Sequence, residues 1–195
     1  MILSNESLQK ALASGRIIID PSPAPLRPTP GATSCPFQTS AVDLRLGTDF
    51  SEFNTGNAIA IDLSKGSFLS VFANNSASKT VAMGDVFTLK PQKLVLARTL
   101  ERVALPLKQK GPWFAARVEG KSSYARCGLM VHFTAPTIHC GFDGTITLEL
   151  INLGPYDINL RVGSPICQLI VERIDSRPFS NESQFQHQKR PGGQK

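Results

Sequence analysis

Apolar and polar residues alternate most regularly in Thr145–Ile151. Thr145, Thr147, Glu149 and Ile151 fall on one side, and Ile146, Leu148 and Leu150 on the other. This period of two predicts a strand with one buried face. Glu149 then lies mid-strand with leucine on either side, where an unpaired carboxylate is costly to bury. Either it is paired, or its pKa is raised for use as an acid or base, or it rests on a solvated strand face. The same period in SAVDLRLGTDF, residues 40–50, sets Val42, Leu44 and Leu46 against Asp43 and Arg45. That predicts a half-buried strand whose two charges lie free at the surface or pair across a subunit face.

Between residues 58 and 114 come the runs AIAIDL, SFLSVF, TVAMGDVFTL, KLVLARTLERVAL and PWFAARV. Turn residues separate them: Asn74-Asn75, Gly84-Asp85, Pro91 and Gly111-Pro112. After Glu149, the turn Asn152-Leu153-Gly154-Pro155 precedes YDINLRVG and PICQLIVERI. Many short strands with regular turns predict a mainly β sandwich or barrel. One helix is expected near residues 5–14, with N-cap candidates in Ser4-Asn5-Glu6-Ser7, Leu8 and Leu12 on one face, and Gly15 as the stop. Arg16–Asp20 reads as a strand. Pro21, Pro23, Pro25, Pro28, Pro30 and Pro36 make the next stretch an extended surface connection, with a proline-rich docking ligand as the other reading.

A chain of 195 residues fits one domain with a sizeable core. Residues 1–175 form that domain, and the polar stretch 176–195 reads by composition as a flexible basic tail. No apolar run approaches a membrane span, and residues 1–10 lack the order of a signal peptide. The net charge of +6 is spread out and aromatics are only 7%, so nucleic acid is not the expected partner. A polyanionic small molecule such as a nucleoside triphosphate accounts for the excess more simply. Cys35, Cys127, Cys140 and Cys167 form no CxxC, and reduced thiols in the cytoplasm are expected. His132, His139 and His187 supply no H-x-E element. With no P-C-x-x-C either, the chemistry of zinc deaminases is excluded.

Gly120-Lys121-Ser122-Ser123 leads into a short helical reading over Tyr124–Cys127. Hydroxyls and free N–H groups at such a start suit a phosphate, with Lys121 and Arg126 supplying charge. GKSS alone is a weak signal, because it lacks the upstream glycine of a P-loop. The longer run GKSSYARCGLMVHFTAPTI, followed by GFDGTITLE, closely resembles the signature of dCTP deaminases, a family of the dUTPase-like superfamily, without a gap between Lys121 and Glu149. MILSNESLQKALASGRIIIDP and VDLRLG resemble two further landmarks of that family.

The resemblance implies a dUTPase-like β-clip, a distorted jelly roll, assembled as a homotrimer with active sites at subunit contacts. It implies hydrolytic deamination of dCTP to dUTP and ammonia, feeding dUMP and dTTP synthesis. Glu149 is then the general base, Ser122 holds the water or its polar neighbours, and Arg126 orients Glu149 or contacts phosphate. Lys121, Ser123, Tyr124 and Ala125 belong to the nucleotide-binding run, with Mg²⁺ accompanying the triphosphate. Thr147 and Leu148 border the pyrimidine through their backbone. His132 and Thr134 belong to a polar network beneath the pocket, or His132 is a satisfied core histidine.

The tail resembles a segment that folds over the nucleotide, through Phe179, Gln184, Phe185 and Gln188. Gln184 replaces a lysine there and Phe179 a tyrosine. His139 stands where most relatives carry an aspartate that contacts the sugar and, in dUTPases, the attacking water. A neutral imidazole can still bond a sugar hydroxyl, but it supplies no fixed negative charge. Three functions remain open: a deaminase releasing dUTP, a dUTP/dCTP pyrophosphatase or bifunctional enzyme giving dUMP, and a nucleotide-binding regulator without turnover.

Overall fold

The computed structural model describes residues 1–31, 34–54, 56, 60–62, 64 and 69–180. Helix α1 (Asn5–Ala13) starts where Ser7 N–H donates to the Ser4 hydroxyl at 3.3 Å. It buries Leu8 and Ala11 and stops at Gly15, whose φ of +67° suits a residue without Cβ. The strands are β1 (Ile18–Asp20), β2 (Val42–Arg45), β3 (Asp49–Phe53), β4 (Ser76–Thr80), β5 (Val86–Leu89) and β6 (Leu94–Ala104). They continue as β7 (Trp113–Gly120), β8 (Leu129–Val131), β9 (Thr137–Ile138), β10 (Asp143–Asn152), β11 (Ile158–Arg161) and β12 (Pro165–Ile174). Two further helices, α2 (Leu69–Asn74) and α3 (Ser122–Ala125), are short.

The strands form a larger sheet ordered β4-β3-β6-β10-β8 with β1 also on β6, a second sheet ordered β2-β12-β7-β9, and a ribbon of β11 and β5. Inward residues of both sheets, including Ile146, Leu148 and Leu150 of β10 and Val118, Leu169 and Val171 of the second sheet, join one buried cluster. Phe50 stacks on Phe87 with ring centroids 4.3 Å apart, fastening the ribbon to the larger sheet. The expected mainly β fold with a short N-terminal helix is what the chain adopts. Among the described residues no helix is long and apolar enough to cross a membrane.

Three local expectations change. In the run SFLSVF, Leu69–Phe72 lie in helix α2 instead of a strand, because the Asn75 amide and the Ser76 hydroxyl donate to the carbonyls of Val71 and Phe72 and cap its end, while Ser67 and Phe68 lie outside the described residues. Ala60–Asp62 are not in a strand, and Ala58, Ile59 and Leu63 lie outside the described residues. The stretch 40–50 divides into β2 and the start of β3, which belong to different sheets. Gly47 makes that corner, where an added Cβ would lie 2.9 Å from the Arg98 carbonyl oxygen. Asp43 is therefore buried at 7% exposure, not turned outward.

Candidate active site

The corner at α3 is fixed from several directions. Lys121, the residue before the helix, donates from Nζ to Asp43 Oδ2 at 2.6 Å. Gln168 Nε2 donates to the other oxygen of Asp43 at 3.2 Å, so β2 and β12 together hold the lysine. Arg45, expected beside Asp43 as a surface or intersubunit charge, pairs within the chain with buried Glu101 at 2.6 Å. The Tyr124 hydroxyl donates to the Pro165 carbonyl at 3.0 Å. Behind the helix, Gly128 meets Gly154 so closely that a Cβ on Gly128 would lie 2.4 Å from the Gly154 nitrogen.

The helix begins two residues earlier than the sequence pattern indicates, at Ser122. Its first N–H groups have no partner within the helix. Ser122, Ser123, Ala125 and Arg126 are exposed, and among the described residues Arg126 joins no ion pair. A rigid frame thus presents hydroxyls, amides and a guanidinium outward, a combination that can receive phosphate oxygens.

Glu149 lies in the middle of β10, opposite Leu96 of β6, with its side chain 35% exposed. The alternation puts Thr145, Thr147 and Ile151 beside it on the half-buried face, while Leu148 is wholly buried in the core. Leu148 can therefore border a ligand only through its backbone. The neighbouring cations are committed elsewhere: Arg98 to Asp49, and Arg102 to Asp143 at 2.6 Å.

His132 is the group that meets Glu149. Its N–H donates to the Glu149 carbonyl at 2.9 Å, and its Nδ1 lies 2.8 Å from Glu149 Oε2. The side-chain contact is close but off the line of a hydrogen bond, leaving both buried ring nitrogens without an aligned partner. Of the readings open for this carboxylate, the structure thus shows a close imidazole neighbour. His132 also adopts a left-handed backbone, φ +54°, which is uncommon outside glycine. With Ala125, Met130, Phe133 and Pro136 it walls an open cavity of about 300 Å³, of which Glu149 is not a wall. Thr134 is exposed in the loop that follows.

His139 is exposed at the turn between β9 and β10. At this turn β9 pairs with β7 and β10 with β6, so the chain passes from one sheet to the other. Gly141 N–H donates to the Leu105 carbonyl at 2.6 Å, docking the turn on the end of β6. Burial pushes the neighbouring Cys140 thiol up from the ordinary thiol pKa. Phe179 is exposed beyond β12, and Gln184, Phe185 and Gln188 lie outside the described residues.

The chain thus brings Lys121, Ser122, Ser123, Tyr124, Ala125 and Arg126 into one corner and sets Glu149 against His132. Among the described residues no hydrogen bond or ion pair joins Glu149 to Ser122 or Arg126. Sequence reasoning missed Asp43 and Gln168 as anchors of Lys121. The available signal was a charge inside the apolar run of VDLRLG. No group of three or more His, Cys, Asp or Glu side chains among the described residues is placed to hold a metal ion.

The sequence profile of the dCTP deaminase-like family matches residues 2–174. The chain is 37% identical over 188 residues to a dCTP deaminase of Rhodospirillum rubrum, covering 92% of this chain and 88% of that one. It is 36% identical over 184 residues to a dUMP-forming dCTP deaminase of Methanosphaera stadtmanae, covering 93% and 85% respectively. In fold it resembles the crystal structure of a 2′-deoxycytidine 5′-triphosphate deaminase from Agrobacterium tumefaciens, with a TM-score of 0.62 at 19% identity. That match covers 89% of this chain and about half, 48%, of the other.

Proposed function

Because the chain belongs to the dCTP deaminase-like family, we propose that it hydrolyses dCTP to dUTP and ammonia. The observation that carries this reading is Glu149, a half-exposed carboxylate held mid-strand against His132. Glu149 takes a proton from water as the water oxygen bonds to C4 of the pyrimidine, and delivers that proton to N3, which receives the displaced electron pair. The C4–N bond of the tetrahedral intermediate then breaks. Glu149 takes the proton of the new C4 hydroxyl and passes it to the amino group, which leaves as ammonia while the C4 carbonyl forms and N3–H stays on the new uracil ring. No zinc is needed, since the carboxylate activates the water.

Ser122, Ser123 and Arg126 receive the triphosphate. Lys121 adds its charge from within the corner while Asp43 fixes its position. Magnesium bound to the triphosphate would offset part of its charge beside Ser122, Ser123 and Arg126. Among the described residues no hydrogen bond or ion pair joins Glu149 to the α3 corner, which supports a site completed between copies in a homotrimer. Phe179 and the tail, Gln184 and Gln188 included, close over the nucleotide, and His139 contacts the sugar. The four free cysteines suit a reducing, cytoplasmic setting.

The related reading, release of dUMP and pyrophosphate, is carried by the name of the M. stadtmanae relative. Two features oppose it. Position 139 is an imidazole, and the next carboxylate, Asp143, is paired with Arg102 at 2.6 Å, so neither is free as an anionic guide for water at the α-phosphorus. Incubation with each deoxynucleoside triphosphate, followed by chromatography, separates the readings. The expected products are dUTP and ammonia from dCTP. Pyrophosphate released as fast as ammonia establishes the dUMP-forming reaction, and nucleotide binding without turnover makes the protein a regulator. Glu149→Gln should bind nucleotide and release no ammonia; deamination within about tenfold of the parent rate removes Glu149 as the base.

A further inference from the structure

We infer that the loop between β6 and β7 forms a second anion site, one that takes a polyphosphate chain, and that this site is separate from the α3 corner. The loop is built, not loose. Arg16 Nη1 donates to the carbonyls of Lys110 and Gly111 at 2.9 and 2.5 Å. Gln109 Nε2 donates back to the Arg16 carbonyl at 3.1 Å, and Trp113 Nε1 to the Leu107 carbonyl at 3.2 Å. Gly111 lets the indole lie against the backbone, since a Cβ there would be 2.8 Å from the Trp113 ring.

These contacts frame an open cavity of about 280 Å³ walled by Lys108, Gln109, Lys110, Gly111, Trp113 and Arg177. Three of the six walls are cationic and none is acidic. Among the described residues Lys108, Lys110 and Arg177 join no ion pair, whereas Arg45, Lys90, Arg98, Arg102 and Lys121 each have a carboxylate partner. Cations drawn together without compensation repel one another, and a multivalent anion relieves that repulsion. Phosphate oxygens fit best, because they accept from ammonium and guanidinium donors together. An indole beside them suits a planar ring carried on the phosphates. The eight residues of β7 separate this cavity from the α3 corner of the same chain by roughly 23 Å.

Trp113 is the sole tryptophan of the chain, so its fluorescence reports this site alone. The full-length protein is titrated with sodium tripolyphosphate and, separately, with ATP at low salt. A saturable change in emission is expected, weakening as salt screens the cations. The double variant K108Q/K110Q should raise the half-saturating concentration by about tenfold or more while leaving dCTP turnover unchanged. Arg126→Gln, in the α3 corner, should leave the titration as it is. Tighter binding of ATP means that the ring engages Trp113; equal binding means that the phosphates suffice, and both support the site. A response matched by sulfate at equal ionic strength, an adventitious ion only, overturns the inference. So does a response that survives K108Q/K110Q, that is lost with Arg126→Gln, or that never saturates.

Discussion

His132 combines a left-handed backbone with a buried imidazole 2.8 Å from the Glu149 carboxylate. Such a conformation costs of order 1–3 kcal/mol and persists only where its surroundings hold it. Here the β-type bond from His132 N–H to the Glu149 carbonyl does so, aiming the ring at the acid. Asparagine tolerates the same backbone, so His132→Asn removes the imidazole without the strain of another residue. The variant should lose about tenfold or more in kcat with KM little changed. Steady-state kinetics with dCTP check this, and an unchanged kcat reduces His132 to a filler of the core.

Cys167 gives a pH signature. It is wholly buried, and desolvation together with Glu101 and Asp43 pushes its thiol well above the ordinary value of 9.0, with Lys121 opposing. The folded-state pKa is raised, so the unfolded chain ionises first as pH rises. The stabilisation is complete below pH 9.0 and declines above it. The Tm of the natural protein should therefore fall between pH 8.5 and 10 more steeply than that of Cys167→Ala, by calorimetry. Parallel slopes would show that other groups set the alkaline limit.

Among the elements, α3 depends most on its surroundings, for four residues do not make a stable helix alone. Gly128 is the tightest point, with φ +89° and no room for a Cβ against Gly154. Gly128→Ala should destabilise by about 2 kcal/mol or more. It should also raise KM for dCTP, because the corner can form only by moving away. Asp43→Asn tests the anchor itself: it keeps the shape but removes the charge beside Lys121, and KM should rise several-fold before Tm changes greatly. A KM equal to that of the parent would show that the lysine needs no carboxylate to present the corner.

Element by element, legibility in the sequence followed local pattern. β10 was legible because each side chain obeys its alternation, and α1 because Ser4 and Gly15 punctuate it. α2 was misread because two side chains after the apolar run, Asn75 and Ser76, decide its shape. The burial of Asp43 was hidden for a different reason. Its partners Lys121 and Gln168 are 78 and 125 residues away, and no local period encodes a pairing at that distance. The change of sheet at His139 was hidden because sequence shows a turn but not which sheets its flanks join.

For the molecule as a whole, the last strand among the described residues ends at Ile174, so removing residues 178–195 should leave the fold intact while retaining Arg177. If the tail closes the site, that truncation lowers kcat strongly, because a lid excludes water and completes the phosphate contacts. Circular dichroism and product analysis on the same sample check both halves of the expectation. A truncated chain with the parent's rate makes the tail dispensable.

Both ends of the fold meet on β12. Leu3 N–H donates to the Val171 carbonyl and Arg173 N–H to that of Met1, each at 2.9 Å, and among the described strands β2 pairs with β12 alone. On the ribosome the first of these partners emerges long before the last. From Asp43 to Gln168 is 125 residues, roughly 6–25 s of synthesis. Until then β2 has no edge to join, and Asp43 can reach Lys121 without Gln168 to steady it. If the α3 corner receives the nucleotide as proposed, the newborn chain cannot hold it there until β12 is made, and a premature stop anywhere before residue 165 yields a polypeptide without the Gln168 and Pro165 anchors of that corner.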